Sequence, residues 1–287
     1  MSVNIMQFKS RIRNLAKEEG VPAQVMLQNF MFERFFARLC KSTVRENLIL
    51  KGGALISQCL GISRRTTMDI DLTMSNAPLT ESTVSEMIQG VFSVRLDDGV
   101  RWSLNVLEPI RNKDLYGGYR AKIVATLDSI AVPFSIDIST GDVITPEPED
   151  YFFKSAFEKN AFYNLKAYTI ETVLAEKLES ILSLGVLSTR PRDYYDVYML
   201  TSCVKHSDSK LKAAFLATIH HRGSEDVYRD GAIILTEISR SEILKTVGES
   251  IDSNFLSPII YRLSRSVINS SRCLVALRHV EEYDAWK

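Results

Sequence analysis

Hydrophobic positions along the chain follow two regimes. Up to about residue 165, helical stretches are interleaved with short strand-like runs; from Thr169 onward the spacing is helical. Val3 to Gly20 puts Ile5, Phe8, Ile12 and Leu15 on one helical face, and Gly20 supplies a C-cap. Pro22 opens a longer helix reaching about Cys40. Its Phe30, Phe32, Phe35 and Phe36 have the apolar spacing of a helix packed into a core. A base-stacking platform would instead interleave aromatics with basic residues on a sheet. Leu48-Ile49-Leu50 predicts a buried strand, Ala54 to Leu60 a short helix stopped by Gly61, and Met68 to Leu72 a second strand.

Ser75 to Leu79 is predicted as a loop, and Ser82 to Phe92 as a helix capped at Thr80 or Ser82. Three strand-like runs follow, Trp102–Leu107, Tyr119–Leu127 and Val132–Ile138, with a turn at Tyr116-Gly117-Gly118-Tyr119. Prolines and acids from Thr145 to Asp150 mark a surface loop, and Asn164 to Tyr168 adds a strand. Helices are predicted over Thr169–Leu184, Arg192–Ser202, Ser207–His220, Ser241–Val247 and Pro258–Leu277; Ser224–Leu235 is ambiguous. The expected fold class is α+β (α/β), with a small mixed sheet and a C-terminal helical bundle. The expected domains are 1–165, with the N-terminal helices, and 166–287.

Composition adds constraints rather than direction. A chain of 287 residues with 45% hydrophobic and 24% charged residues is an ordinary globular protein of one or two domains. Lys plus Arg equals Asp plus Glu at 35 each, so a nucleic-acid substrate would need a local basic patch. Lys205, Lys210, Lys212, His220, His221 and Arg222 could form one such edge, and Arg262, Arg265, Arg272 and Arg278 another. Cys40, Cys59, Cys203 and Cys273 are scattered without a CxxC pair, which suits free thiols in a reducing compartment. The N-terminus lacks the apolar core of a signal peptide, and no apolar run approaches the roughly 18 residues of a membrane span. A cytoplasmic protein is expected.

The chemistry concentrates between Leu48 and Met74, LILKGGALISQCLGISRRTTMDIDLTM. On a strand, residues two apart share a face, so Asp69 and Asp71 point one way while Met68, Ile70 and Leu72 are expected in the core. Two carboxylates held this close repel each other and lose solvation. A divalent cation removes that penalty, and Mg²⁺ characteristically takes one or two carboxylates together with phosphate oxygens. Gly52 and Gly53 let the backbone approach a ligand, and the helix behind them offers N–H groups to an anion. With Arg64 and Arg65 nearby, the combination points to a nucleoside triphosphate.

Gly-Gly, a short helix and Asp-x-Asp together resemble the signature of the DNA polymerase β-type nucleotidyltransferases. The longer string KGGALISQCLGISRRTTMDIDL resembles the AbiEii/MenT family of nucleotidyltransferase-like toxins, from abortive-infection (type IV) toxin–antitoxin systems. A second block, Ala175-Glu176-Lys177-Leu178 followed by Arg192-Asp193-Tyr194-Tyr195-Asp196-Val197-Tyr198, is similar to that family's AEKL…RDxxDxY pattern. The resemblance runs from about Asn47 to Leu200.

It implies a nucleotidyltransferase core and transfer of a nucleoside monophosphate to an acceptor hydroxyl. Asp69 and Asp71 would hold Mg²⁺, with Mn²⁺ as an alternative, and Gly52 and Gly53 the triphosphate. Many superfamily members have Gly-Ser at that point, so a serine contact is missing here. Arg64 or Arg65 would bind the β- and γ-phosphates. Lys177 would reach the nucleotide across a cleft and stabilise the leaving pyrophosphate. Asp193 and Asp196 would hold Lys177, help position the acceptor, or contact nucleotide. Asp137 would be a third metal carboxylate or the base for the attacking hydroxyl; the bland alternative is a surface aspartate on an edge strand. Asp142 is expected as a turn residue. Thr67 would lie beside Asp69, where an added phosphoryl or nucleotidyl group would silence the site. The implied acceptor is an RNA, with the 3′ end of a tRNA as the expected site, and the implied biology is growth arrest or abortive phage infection countered by a cognate antitoxin. A small-molecule nucleotidyltransferase of the antibiotic-modifying kind and a non-catalytic nucleotide-binding module are the rival expectations.

Overall fold

A computed structural model describes residues 4–110, 117–188 and 190–239. The predicted helices over Ser241–Val247 and Pro258–Leu277, the arginines within that region, Cys273, His279 and Tyr116 lie outside the described residues. The chain divides into two compact units. One takes the chain to Asp142 and again Pro148–Tyr168; the other takes Val143–Glu147 and the chain from Thr169 on.

The first unit is built on one mixed sheet. Its strands are β1 (Leu48–Lys51), β2 (Asp69–Met74), β3 (Val100–Ile110), β4 (Gly118–Leu127), β5 (Ile130–Ser139), β6 (Glu149–Lys154) and β7 (Phe162–Ala167), in the order β3-β4-β5-β2-β1-β7-β6. β2 runs antiparallel to β1 and parallel to β5; β4 runs antiparallel to both β3 and β5. The helices are α1 (Ile5–Glu19), α2 (Ala23–Leu39), α3 (Gly52–Leu60) and α4 (Glu81–Phe92). Local chemistry sets their ends: Gly20 caps α1 in the left-handed region, and the Thr80 hydroxyl accepts the Thr83 N–H to start α4.

The core lies where α2 and α4 cover the sheet. Phe32, Phe35 and Phe36 are buried as their spacing predicts, against Phe134, Trp102 and Phe153. α2 also buries charge, which its Met- and Phe-rich pattern did not announce. Arg38 donates two bonds of 2.7 Å to the Asp98 carboxylate, and Glu33 accepts from the Ser155 hydroxyl and the Ala156 amide. Burial pushes the Glu33 carboxyl above its ordinary range despite those bonds. Such pairs pin α2 to the start of β3 and to the β6–β7 connection, because removing one partner would strand a charge away from water.

Two expectations are corrected here. Met68 is 55% exposed rather than in the core, because β2 begins only at Asp69. The acidic Glu149 and Asp150 open strand β6 instead of belonging wholly to a loop.

The second unit is helical among its described residues: α5 (Ile170–Leu184) with a short 3₁₀ turn at Gly185–Leu187, α6 (Pro191–Cys203), α7 (Asp208–Arg222) and α8 (Glu225–Ser239), the last resolving the ambiguous stretch. Thr169 caps α5 through the Thr172 N–H, and Leu174, Leu178 and Ile181, spaced four and three apart on one face of the helix, are buried. α6, α7 and α8 all pack on α5. The Glu179 carboxylate, facing α7, accepts from Ser183, Arg222 and Ser224, and the Glu171 carboxylate accepts the Ser207 N–H at 2.7 Å.

Candidate active site

The register of four neighbouring strands assembles the first unit's site. Lys51 on β1 stands opposite Asp71 on β2, Asp71 beside Asp137 on β5, and Asp137 opposite Arg120 on β4. One row across the sheet therefore reads cation, carboxylate, carboxylate, cation. Asp69 shares the face of Asp71 two residues earlier, beside Ser135. The apolar partners of this alternation, Ile70, Leu72, Ile136 and Ile138, are fully buried on the other face.

Gly52 and Gly53 close the site from behind. Gly52 has φ of 60°, and a Cβ there would sit 2.1 Å from Asp71 Oδ2, so the chain needs glycine both for its turn and for the carboxylate's space. The Gly53 amide donates to Asp71 Oδ2 at 3.2 Å. That N–H, expected to face phosphate, is engaged with the carboxylate instead. The Thr67 hydroxyl donates to Asp69 Oδ1 at 3.0 Å, on the side expected of it. The two arginines part company: Arg64 is exposed, whereas an Arg65 guanidinium nitrogen lies 3.4 Å from where a Gly53 Cβ would be.

The electrostatics mark Asp71. Burial chiefly, and then the Asp69 carboxylate, push its pKa up to about 6; the Gly53 N–H and the Lys51 ammonium oppose the rise, and Asp137 adds to it. A carboxylate pair so short of compensation is a fit for a cation. The donor set is two carboxylates, the number Mg²⁺ takes when phosphate oxygens supply more of its shell. Among the described residues, no group of three or more His, Cys, Asp or Glu side chains is arranged as a metal cluster. Asp137, expected as a third metal carboxylate or as the base for the attacking hydroxyl, receives Arg120 Nε at 2.7 Å and a second guanidinium nitrogen at 2.6 Å.

Two neighbours escaped the sequence reading. Lys51 donates to Ser139 Oγ at 2.7 Å and to Asp142 Oδ2 at 2.5 Å. Asp142, expected only as a turn residue, also accepts from Thr73 and Tyr168, and these donors, Lys51 foremost, hold its carboxyl below the usual range against its burial. Arg120 was the other omission. The alternation of Arg120 and Lys122 with buried Ala121, Ile123 and Ala125 along β4 was the signal that could have found it.

In the second unit, Lys177 donates to Asp193 Oδ1 at 2.6 Å and lies 2.9 Å from Asp196 Oδ2. Spacing of three on α6 puts both acids on its Lys177-facing side. Asp196 is fully buried, so its carboxylate holds the lysine and is closed to the direct nucleotide contact expected of it.

No described helix is long and apolar enough to cross a membrane. Among solved structures, JHP933 from Helicobacter pylori is similar at 14% identity and a TM-score of 0.45, over 91% of this chain and 95% of that one. The antibiotic-resistance factor ANT(2'')-Ia is similar at 15% identity and a TM-score of 0.37, over 70% of this chain and 98% of that one. An antigenic nucleotidyltransferase-like protein from Paracoccidioides brasiliensis follows at 15% identity and 0.36, over 63% and 82%. No curated protein matches. The TM-scores stay below 0.5, so family membership rests on sequence: the profile of the nucleotidyl transferase AbiEii toxins of type IV toxin–antitoxin systems matches residues 34–261. That span takes in both the Asp69/Asp71 strand and the Lys177–Asp193 pair, and the chain belongs to this family of toxin nucleotidyltransferases.

Proposed function

We infer that the protein transfers a nucleoside monophosphate from a nucleoside triphosphate to a hydroxyl of an RNA acceptor, the 3′ end of a tRNA being the foremost candidate. The carrying observation is the Asp69/Asp71 pair on one face of β2, with Asp71 short of compensating charge against the glycine turn. Asp69 and Asp71 would hold Mg²⁺ or Mn²⁺. When bound, that ion supplies neutralisation of the triphosphate charge and orientation of the α-phosphate.

The chain's own residues carry the remainder. Arg65, beside Gly53, meets the outer phosphates. The acceptor oxygen forms its bond to the α-phosphorus as the bond to the bridging oxygen breaks and pyrophosphate leaves. The hydroxyl proton passes to Asp137, whose oxygens keep lone pairs beyond those engaged by Arg120. Lys177 is held by Asp193 and Asp196 within the second unit, and the family resemblance gives its charge the role of offsetting the departing pyrophosphate. On this reading Lys177→Met lowers the transfer rate by about a hundredfold or more while triphosphate binding, followed by calorimetry, weakens much less. Equal losses in both would remove Lys177 from the transition state.

Membership of a type IV family implies an antitoxin partner, and growth arrest as the outcome of unchecked transfer. The test is incubation with total RNA and each α-labelled triphosphate in turn, comparing the natural protein with Asp71→Ala. Label entering tRNA with the natural protein only is the expected result. Pyrophosphate release without labelled RNA would move the acceptor to another class; no release with Mg²⁺ or Mn²⁺ would remove the catalytic reading.

A further inference from the structure

Asp137 stands directly beside Asp71, and its carboxylate is engaged by the cation on its other side. Arg120 sits opposite it on β4 and holds both of its oxygens, at 2.7 and 2.6 Å. The planar guanidinium matches a carboxylate in this two-pronged way as no lysine can. The clamp is not a buried structural pin: Arg120's side chain is 43% exposed and Asp137's 20%. A part-buried cross-strand pair of this kind adds about 1 kcal/mol or less to stability, and the fold alone would be served as well by an uncharged pair at these two positions. The register places Arg120 at the edge of the carboxylate site, between Asp137 on β5 and Glu108 on β3; the bond to Asp137 first, and more weakly the charges of Asp69 and Glu108, raise the affinity of its guanidinium for the proton.

We propose that Arg120 is a positioning residue for the transfer: it holds Asp137 outside the cation's coordination, so that the protein binds its cation with Asp69 and Asp71 alone and keeps Asp137 for the acceptor. The inference rests on the nucleotidyltransferase reading. A third carboxylate on the ion would occupy a position that phosphate oxygens or water fill in a two-carboxylate site. It would also withdraw Asp137 from the attacking hydroxyl. Arg120 prevents both by satisfying the carboxylate before the ion arrives. Three acids brought to neighbouring strand positions thus do two jobs, and a residue two strands from Asp71 decides which acid does which.

The test titrates Mn²⁺ alone into the natural protein, Arg120→Ala, Asp137→Asn and the double variant. It follows affinity by the electron paramagnetic resonance of free Mn²⁺ and coordinated water by proton relaxation. Asp71→Asn serves as the control for the site itself. Arg120→Ala is expected to bind Mn²⁺ about tenfold more tightly, with one fewer coordinated water. Asp137→Asn is expected to weaken binding about tenfold in the Arg120→Ala background and no more than about twofold when Arg120 is present.

A mere change in local field would make the Asp137→Asn effect the same in both backgrounds and leave the water count unchanged; either result overturns the proposal. So does a large loss from Asp137→Asn alone, which would make Asp137 a ligand already. Mn²⁺ binding unaffected by Asp71→Asn would strike instead at the reading on which the proposal rests. Circular dichroism of each variant establishes that the sheet is retained.

Discussion

Replacing Asp71 by Asn is expected to lower nucleotidyl transfer by about a thousandfold or more while making the cation-free protein more stable. The two effects have one cause. Asp71 is held mostly away from water, next to Asp69 and Asp137, and its carboxyl ionises only near pH 6 instead of the ordinary 3.8. That gap of about two pK units corresponds to on the order of 3 kcal/mol of folding free energy withheld at neutral pH. Asparagine keeps the shape and loses the charge. The sign follows from proton binding. Between pH 4 and 6 the folded state holds a proton that the unfolded chain has released, so the natural protein's stability falls as pH rises through this window. The stability advantage of Asp71→Asn over the natural protein should therefore be absent below about pH 4, open between pH 4 and 6, and stay constant above. Urea unfolding of both proteins in EDTA across that range measures it. An advantage independent of pH would mean that Asp71 is not the strained group. In activity the direction reverses, because cation binding needs the ionised acid: at limiting Mg²⁺ the natural protein should lose transfer below pH 6, and added Mg²⁺ should move the fall to lower pH. The thousandfold loss reflects the roughly 4 kcal/mol that charge stabilisation at a metal-assisted centre supplies.

How much of this was legible beforehand depended on the range of each interaction. The elements themselves were, because the alternation in Asp69-Ile70-Asp71-Leu72 and the helical stripe Leu174, Leu178, Ile181 encode burial within a few residues. Thr80, Thr169 and Gly20 act within one turn, and their capping was readable for the same reason. Pairing across the sheet was not readable. Nothing in Gly118–Leu127 says that Arg120 will face Asp137, since that depends on strand order and register, which the sequence pattern leaves free. Asp142 looked like a turn acid because its local context is Gly141-Asp142, while its role comes from Lys51, Thr73 and Tyr168, residues 91, 69 and 26 positions away. Buried charge on α2 was hidden for a further reason: an apolar stripe predicts which face is inside, but Glu33 and Arg38 enter that interior only because Ser155 and Asp98 arrive from distant segments to receive them.

Gly52→Ala is the second change expected to abolish function, and it does so without altering any charge. The glycine's φ of 60° costs an alanine about 1–2 kcal/mol. The larger problem is space. The new Cβ would lie 2.1 Å from Asp71 Oδ2, 2.7 Å from its Cγ and 2.8 Å from its Cβ. A short side chain anchored on a central strand cannot swing aside as a lysine tip would, so relief requires the carboxylate to rotate off the Gly53 N–H and away from its place beside Asp69. Transfer should fall at least a hundredfold and Mn²⁺ affinity at least tenfold, because the cation meets only one correctly placed acid. Gly53→Ala is the informative contrast. Its Cβ would meet the Thr67 hydroxyl at 2.8 Å, and that hydroxyl can turn about one bond. Gly53→Ala should therefore keep Mn²⁺ affinity within about threefold. If Gly52→Ala also keeps it, Asp71 does not depend on the glycine behind it, and the close approach of turn and carboxylate is incidental to the cation site.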